Sequence, residues 1–192
     1  MLNSNYLLVA FIIIIPALVI YCTDKTIYFS DYFSTSTDVK QTLCTTTEKE
    51  RVVRGDSLSG LLENEQSVKT LGNYYNCNDV KRNDVVLYDY IGNEKPLIKI
   101  VKAIPGDKLS LVEVKGGWNI KVNDLVLENS DGVQYLINAQ KYKMLALYEK
   151  QNQGIIPQNS YLLLGNLPSA TLDSSRFGLV DKADIIAKVV LN

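Results

Sequence analysis

Two short stretches contain the residues best suited to chemistry, a serine in a glycine-flanked turn and a lysine in an apolar run. Ser57 lies in the segment RGDSLSGLL, residues 54–62, and Lys99 lies in LIKIV, residues 97–101. The chain contains no histidine, which excludes a Ser-His-Asp triad and a Cys-His dyad. A nucleophilic serine therefore needs another base, and a buried neutral lysine is the usual substitute. These residues predict a Ser57/Lys99 pair.

This chemistry requires a particular environment around Lys99. Lysine has an ordinary pKa of about 10.4, and a general base near neutral pH needs it lowered by roughly 3 units. Burial among Ile98, Ile100 and their neighbours supplies such a shift if no carboxylate pairs with the amine. We therefore expect the side chain of Asp56, beside the serine, to point to solvent.

The two motifs resemble those of type I signal peptidases, membrane-bound Ser/Lys proteases that remove signal peptides. Residues 55–62, GDSLSGLL, fit that family's Gly-x-Ser-Met-x-Pro-x-Leu motif, with Leu58 replacing Met and Gly60 replacing Pro. Residues 98–107, IKIVKAIPGD, match its Ile-Lys-Arg-x-x-Gly-x-Pro-Gly-Asp motif. The resemblance selects Lys99, and not Lys102, as the base.

The resemblance extends to the last motif of the family, matched over residues 156–178. Gly165, Asp173 and Gly178 fall in register without a gap, which implies that they support the site structurally. Thr171 stands where the family has the serine that positions the lysine, and it keeps a hydroxyl group. The resemblance therefore implies a positioning role for Thr171.

The last motif also departs from the family pattern. Asn166 replaces the Asp of the family's Gly-Asp-Asn, and Ser175 occupies the position of an arginine, with Arg176 one place later. The oxyanion is expected to be held by the backbone N–H of Ser57. Gly55 stands where some family members supply a hydroxyl donor, and the Ser59 hydroxyl is the alternative here.

The chain divides into three predicted parts: a transmembrane anchor over 1–24, a linker or juxtamembrane segment over 25–50 and a catalytic β domain over 51–192. Tyr6 to Cys22 carries no charged residue, and its length as a helix is roughly 26 Å. No Lys or Arg precedes it and no small-x-small cleavage site follows, which favours a retained anchor over a cleaved signal peptide. The resemblance implies a single-pass cell-membrane protein with its catalytic domain on the extracytoplasmic side.

Composition limits the partners and cofactors. Lys and Arg number 20 against 21 Asp and Glu, giving a net charge of −1, so nothing suggests a nucleic-acid partner. Three cysteines without histidine make a zinc site improbable, and no metal or cofactor is expected. Cys44 and Cys77 pair if the domain faces an oxidising compartment, a question that the sequence leaves open.

Many short β-branched segments predict a mainly β domain of antiparallel sheets in a coiled, barrel-like body with one inserted helix over 137–150. A strand at Arg51 to Val53 is expected to lead into the Ser57 turn. Asn123-Asp124 is a predicted tight hairpin turn. Residues 80–88 are predicted to form a basic turn followed by a strand. Further strands are predicted at 97–101, 109–114, 118–122, 125–127, 156–164 and 184–190.

Three functional hypotheses follow from these features. The first is a membrane-anchored signal peptidase that cleaves exported precursors after small residues, with signal peptides and the lipid bilayer as partners. The second keeps the Ser/Lys chemistry in a dedicated maturase or a self-cleaving protein. The third is a non-enzymatic anchored β domain that has lost activity, which the changes at Asn166 and Ser175 keep open.

Overall fold

The larger of two antiparallel sheets contains Lys99, and the turn that carries Ser57 connects two of its strands. The computed structural model describes residues 44–168 and 171–191. Seven strands form this sheet in the order β1-β2-β11-β3-β4-β9-β10. Their bounds are Thr47–Val52 (β1), Ser67–Gly72 (β2), Val85–Tyr88 (β3), Leu97–Ala103 (β4), Ser160–Leu164 (β9), Val180–Asp181 (β10) and Ile185–Val190 (β11). The mainly β, antiparallel class predicted from the sequence is confirmed.

The second sheet has four strands built around one hairpin. Its strands are Leu109–Val114 (β5), Gly117–Val122 (β6), Leu125–Val126 (β7) and Leu136–Ile137 (β8), with β7 and β8 both paired to β6. Asn123 and Asp124 connect β6 to β7 with φ values of 50° and 66°. Two consecutive left-handed residues are typical of the tight hairpin turn that the sequence predicts here.

The inserted helix, α1, runs from Ala139 to Gln151 and packs on the second sheet. Asn138 caps it, because its side-chain oxygen accepts a hydrogen bond from the backbone N–H of Lys141 at 3.1 Å. Leu145 is fully buried among residues of the second sheet and of β9. A short second helix, α2 (Ser174–Phe177), follows β9 and packs against α1.

The β domain begins earlier than the sequence predicts. β1 starts at Thr47, inside the segment assigned to a linker over 25–50, and the strand predicted at Arg51 to Val53 is only its end. Thr, Glu and Lys dominate β1 because this edge strand leaves most of its side chains exposed, so hydrophobic patterning does not reveal it. The short strands β8 and β10 and the helix α2 were also not predicted.

Cys44 and Cys77 form a disulfide with a Cα–Cα distance of 5.4 Å. This bond connects the residues before β1 to the end of a 3-10 turn, Tyr74–Asn76, that follows β2. It answers the pairing question that the sequence left open.

The proposed anchor, Tyr6 to Cys22, lies outside the described residues. Within residues 44–168 and 171–191, no helix is both long and apolar enough for a membrane crossing.

Candidate active site

Ser57 lies in the turn that connects β1 to β2, and apolar packing fixes this turn. Leu58 is 1% exposed and joins a buried cluster with Val53 and Leu62. The N–H of Leu62 donates to the carbonyl of Leu58 at 2.8 Å, which closes the turn. The carbonyl of Ser57 accepts a hydrogen bond from the N–H of Asn166 at 2.7 Å. The nucleophile candidate is thus hydrogen-bonded to a residue two positions beyond the end of β9.

Lys99 lies in the middle of β4, between strands β3 and β9. Its side chain is 2% exposed, and its Nζ lies 2.9 Å from the Oγ of Ser57. Nζ also donates to the backbone carbonyl of Ile98 at 2.9 Å. The structure therefore brings together the two residues that are 42 positions apart in the chain.

The environment of Lys99 favours its neutral form. Burial lowers its pKa to about 8, while the charge of Asp173 acts in the opposite direction. Among the described residues, no carboxylate forms an ion pair with its Nζ. Asp56 is exposed, as the sequence predicts. An amine with this pKa is partly neutral just below pH 8 and can accept a proton from a hydroxyl group.

The other lysine of β4 lies in a different environment. Lys102 Nζ donates to the carbonyl of Glu128 at 2.9 Å and lies 5.5 Å from the ring centre of Tyr135. It makes no hydrogen bond to Ser57 among the contacts described. The geometry therefore favours Lys99 over Lys102 as a partner of the serine.

Asp173 is the acceptor at the centre of a buried network behind the pair. Its carboxylate accepts hydrogen bonds from the hydroxyl of Thr171, the N–H of Gly165 at 3.2 Å and the N–H and hydroxyl of Ser175 at 3.0 and 2.5 Å. Asp173 is 2% exposed. Because these donors satisfy it, the carboxylate remains near Lys99 without a direct ion pair.

Two departures from the family motif are explained by this network. Ser175, in the arginine's position, donates its hydroxyl hydrogen to Asp173, while Arg176 is exposed. A hydroxyl group thus replaces a guanidinium as donor to the buried carboxylate. Thr171 likewise donates to Asp173, and the hydrogen bonds of Lys99 go to Ser57 and Ile98. A positioning role for Thr171 stays a prediction, and Asp173 is the residue through which it would act.

Asn166 has a role that sequence reasoning did not identify. It is completely buried, and its Nδ2 donates to the carbonyl of Ser59 at 2.8 Å and to the Oγ of Ser130 at 2.7 Å. Its Oδ1 accepts from the N–H of Ser130 at 3.0 Å. An amide can donate and accept at once, whereas an ionised Asp can only accept. Asn166 therefore joins the Ser57 turn to the loop at Asn129–Gly132.

The glycine in the family's proline position is also required by this loop. Gly60 has a φ of 86°, which proline cannot adopt. A Cβ atom here would lie 3.0 Å from Asp131 Oδ2 and 3.2 Å from Asn166 Nδ2. The replacement of Pro by Gly thus accompanies the close approach of the loop.

The predicted supporting glycines lie in crowded places. A Cβ atom on Gly165 would collide with the side chain of Thr171 and lie 2.7 Å from the carbonyl oxygen of Ser57. Gly178, with a φ of 92°, lies against the ring of Tyr148 from α1. Gly165 therefore allows the Ser57 turn and Thr171 to approach β9, whereas Gly178 ends α2 away from the Ser57/Lys99 pair.

The Pro-Gly-Asp turn after β4 is held by an ion pair with the basic turn before β3. Arg82 donates through Nε to Asp107 Oδ2 at 2.7 Å and through Nη2 to Oδ1. Asp107 also accepts from the N–H of Ile104 at 2.9 Å. Asn83, in the family's glycine position, has a left-handed φ of 67°. This pair fixes the end of the strand that carries Lys99.

An open cleft of about 730 Å³ lies beside the pair, and both Ser57 and Lys99 line it. Residues of β1 form one wall, and the segment Asn93 to Ile98 forms another. The cleft has the size of a small-ligand or peptide site. A serine hydroxyl, an amine with a lowered pKa and an adjacent cleft together suit nucleophilic attack on a bound carbonyl group.

Comparisons with known proteins point to one family. The model of the family described as signal peptidase, peptidase S26, matches residues 6–192. Signal peptidase IB of Staphylococcus aureus strains Mu50 and N315 is 26% identical over 142 residues, covering 71% of this chain and 73% of that protein. A crystal structure of a signal peptidase I from Enterococcus faecalis V583 has a TM-score of 0.40 and 18% identity, covering 56% of this chain and 94% of that one.

Proposed function

This chain belongs to the signal peptidase family, peptidase S26, and we propose that it is a membrane-anchored serine endopeptidase that removes signal peptides from exported precursors. Ser57 is the nucleophile and Lys99 the general base. The observation that carries this proposal is the 2.9 Å contact between Lys99 Nζ and Ser57 Oγ in a buried site.

The proposed reaction has two stages. Neutral Lys99 Nζ accepts the hydroxyl proton as Ser57 Oγ forms a bond to the carbonyl carbon of the scissile peptide. The backbone N–H of Ser57 stabilises the oxyanion, with the Ser59 hydroxyl as the alternative donor. The ammonium group of Lys99 then gives its proton to the leaving amine. Water, deprotonated by Lys99, hydrolyses the acyl-enzyme and restores the serine hydroxyl.

The proposed substrates are precursors with small residues before the scissile bond. This preference comes from the family resemblance. Its physical basis is that shallow apolar pockets reject larger side chains, since each methylene that does not fit costs about 1–3 kcal/mol.

We place the catalytic domain on the extracytoplasmic side of the cell membrane, with Tyr6 to Cys22 as the single-pass anchor in the lipid bilayer. The disulfide between Cys44 and Cys77 supports this placement, because disulfides persist mainly outside the reducing cytosol.

The test is a set of single variants assayed for cleavage of a signal-peptide substrate. We expect Ser57→Ala, Lys99→Ala and Lys99→Arg each to abolish cleavage while the domain stays folded. Lys99→Arg fails because a guanidinium group does not deprotonate in proteins. Lys102→Ala is the matched control on the same strand, and it should retain activity. Activity in Lys99→Ala together with its loss in Lys102→Ala would assign the base to the other lysine.

A labelling experiment separates an active enzyme from an inactive relative. A serine-directed β-lactam-like or lipopeptide probe should label the wild-type protein and leave Ser57→Ala unlabelled. The contacts of Asn166 and Ser175 support the active alternative, because both replacements are hydrogen-bonded within the site. A dedicated maturase would share this chemistry and differ only in its range of precursors, which a panel of precursors would reveal.

A further inference from the structure

Arg51 occupies an unusual position for a charged residue. It lies on β1, an edge strand of the seven-stranded sheet, directly opposite Val68 of β2. Side chains of directly opposed residues lie on the same face of a sheet. Val68 is 3% exposed and belongs to the same apolar cluster as Val53 and Leu58. Arg51 is therefore on the inward face of its strand.

The guanidinium group of Arg51 lacks a partner within the described part of the chain. Its Nε is buried and makes no hydrogen bond, and none of the ion pairs described there includes Arg51. Two other arginines are paired, Arg54 with Glu65 and Arg82 with Asp107. A buried hydrogen-bond donor without an acceptor is unfavourable. A ligand that supplies an acceptor to Arg51 would therefore bind favourably, since the described residues supply none.

Arg51 lines the cleft that also contains Ser57 and Lys99. The neighbouring carboxylate, Glu50, also lines the cleft, but its side chain alternates to the opposite face of β1 and accepts a hydrogen bond from Ser67 Oγ at 2.6 Å. Across the cleft, Glu94 and Lys95 are both exposed and carry opposite charges. The inward-facing cation thus lines the same cleft as the proposed nucleophile and forms no ion pair with Glu50 or with any other described carboxylate.

We propose that Arg51 is a specificity-determining residue that binds the carboxylate side chain of an Asp or Glu located near the scissile bond of the substrate. This inference rests on the proposed function of Ser57 and Lys99. A guanidinium group pairs with carboxylates through two parallel hydrogen bonds, and such charge-assisted contacts are stronger than neutral ones. A substrate carboxylate would accept a hydrogen bond from the unpaired Nε and form the ion pair that Arg51 does not make with the described residues.

An inward-facing charge on an edge strand also has a purely structural use, since it discourages pairing with another sheet. That use predicts no effect on substrate choice. The two explanations therefore differ in one measurable quantity, the preference for an acidic side chain in the substrate.

The experiment uses the full-length protein in detergent micelles and matched peptides that carry Glu or Gln at each position flanking the scissile bond. At one position we expect kcat/KM for the Glu peptide to exceed that for the Gln peptide by about tenfold. Arg51→Gln should reduce this ratio to near one, and Arg51→Glu should favour a Lys peptide instead. Lys69→Gln is the control, because Lys69 pairs with the exposed Glu48 and does not line the cleft. It should leave the ratio unchanged.

The affinity of the same peptides for the Ser57→Ala variant gives a readout that does not depend on cleavage. Fluorescence anisotropy of labelled peptides measures this affinity. A Glu-to-Gln affinity ratio near one at every position, or a ratio that persists in Arg51→Gln, overturns the inference. Absence of cleavage by the wild-type protein counts against the proposed function alone. Cleavage without any acidic preference counts against Arg51 alone.

Discussion

At the scale of single residues, Lys99 links activity to pH. Its pKa is about 8, and in the proposed mechanism only the neutral amine accepts the serine proton. We therefore expect kcat/KM to rise with pH, about tenfold per unit well below pH 8, and to level off above it. A pH–rate profile on a short signal-peptide substrate measures this limb.

The control for this profile is Lys102→Ala, which should show the same increase of kcat/KM with pH. The reason is that Lys102 makes no hydrogen bond to Ser57 among those described. A rate that is flat between pH 6 and 9 would contradict the assignment of Lys99 as the base.

The same burial makes Lys99 a source of instability. Its folded-state pKa of about 8 lies below its ordinary value of 10.5, so below pH 8 the folded protein holds a charge in a buried site. Stability should increase as pH rises from 8 to 10.5, because only the unfolded chain then remains protonated. We expect Lys99→Met to abolish activity and to raise the free energy of unfolding at pH 7 by about 1–3 kcal/mol.

Denaturant unfolding at several pH values tests this expectation. The difference between Lys99→Met and wild type should shrink as pH approaches 10. A difference that is independent of pH, or a less stable variant at pH 7, would show that the charge of Lys99 does not determine the effect.

At the scale of elements, the Ser57 turn is positioned by its neighbours as much as by its own sequence. Asn166, after β9, donates a hydrogen bond to this turn, and the loop at Asn129–Gly132 in turn donates one to Asn166. Gly60 lies where these segments meet. Restoring the family's proline should therefore disrupt the site instead of improving the motif.

We expect Gly60→Pro to lower the free energy of unfolding by about 2 kcal/mol or more and to reduce activity. Proline cannot adopt the φ of 86°, and it loses the N–H that donates to Glu63 at 2.9 Å. Gly60→Ala keeps that N–H and should cost less. Thermal unfolding and peptide cleavage measure both variants, and equal stability of Gly60→Pro and wild type would contradict the account.

At the scale of the whole molecule, the proposed anchor sets where the chemistry takes place. A chain that begins at Thr23 keeps Ser57 and Lys99 and loses Tyr6 to Cys22. We expect it to cleave a short peptide with small residues before the scissile bond at the wild-type rate. Tethering raises the local concentration of enzyme at membrane-inserted precursors, so the truncated chain should process these at least about tenfold more slowly.

The comparison of peptide and membrane-inserted substrates is the internal control for this truncation. Equal rates of the two proteins on inserted precursors would make the anchor irrelevant to processing. A preference of either protein for large residues before the scissile bond would remove the signal-peptide assignment.

The sequence predicted the residues of the proposed chemistry more fully than their arrangement in space. The absence of histidine left lysine as the available base for Ser57, and the apolar run around Lys99 predicted its burial. β5 and α1 followed from their hydrophobic periodicity, and the Asn123-Asp124 turn from its residue types. These features are local, so each is encoded within a few neighbouring residues.

Only the tertiary structure decided how distant segments complete the site. Asn166 differs from the family pattern, yet its side chain donates a hydrogen bond to the carbonyl of Ser59 in the Ser57 turn, 107 positions away in the chain. The pairing of Cys44 with Cys77 and the unpaired Nε of Arg51 likewise depend on strand register. Residue types limit which hydrogen bonds are possible, but the packing of segments far apart in the chain decides which of them form.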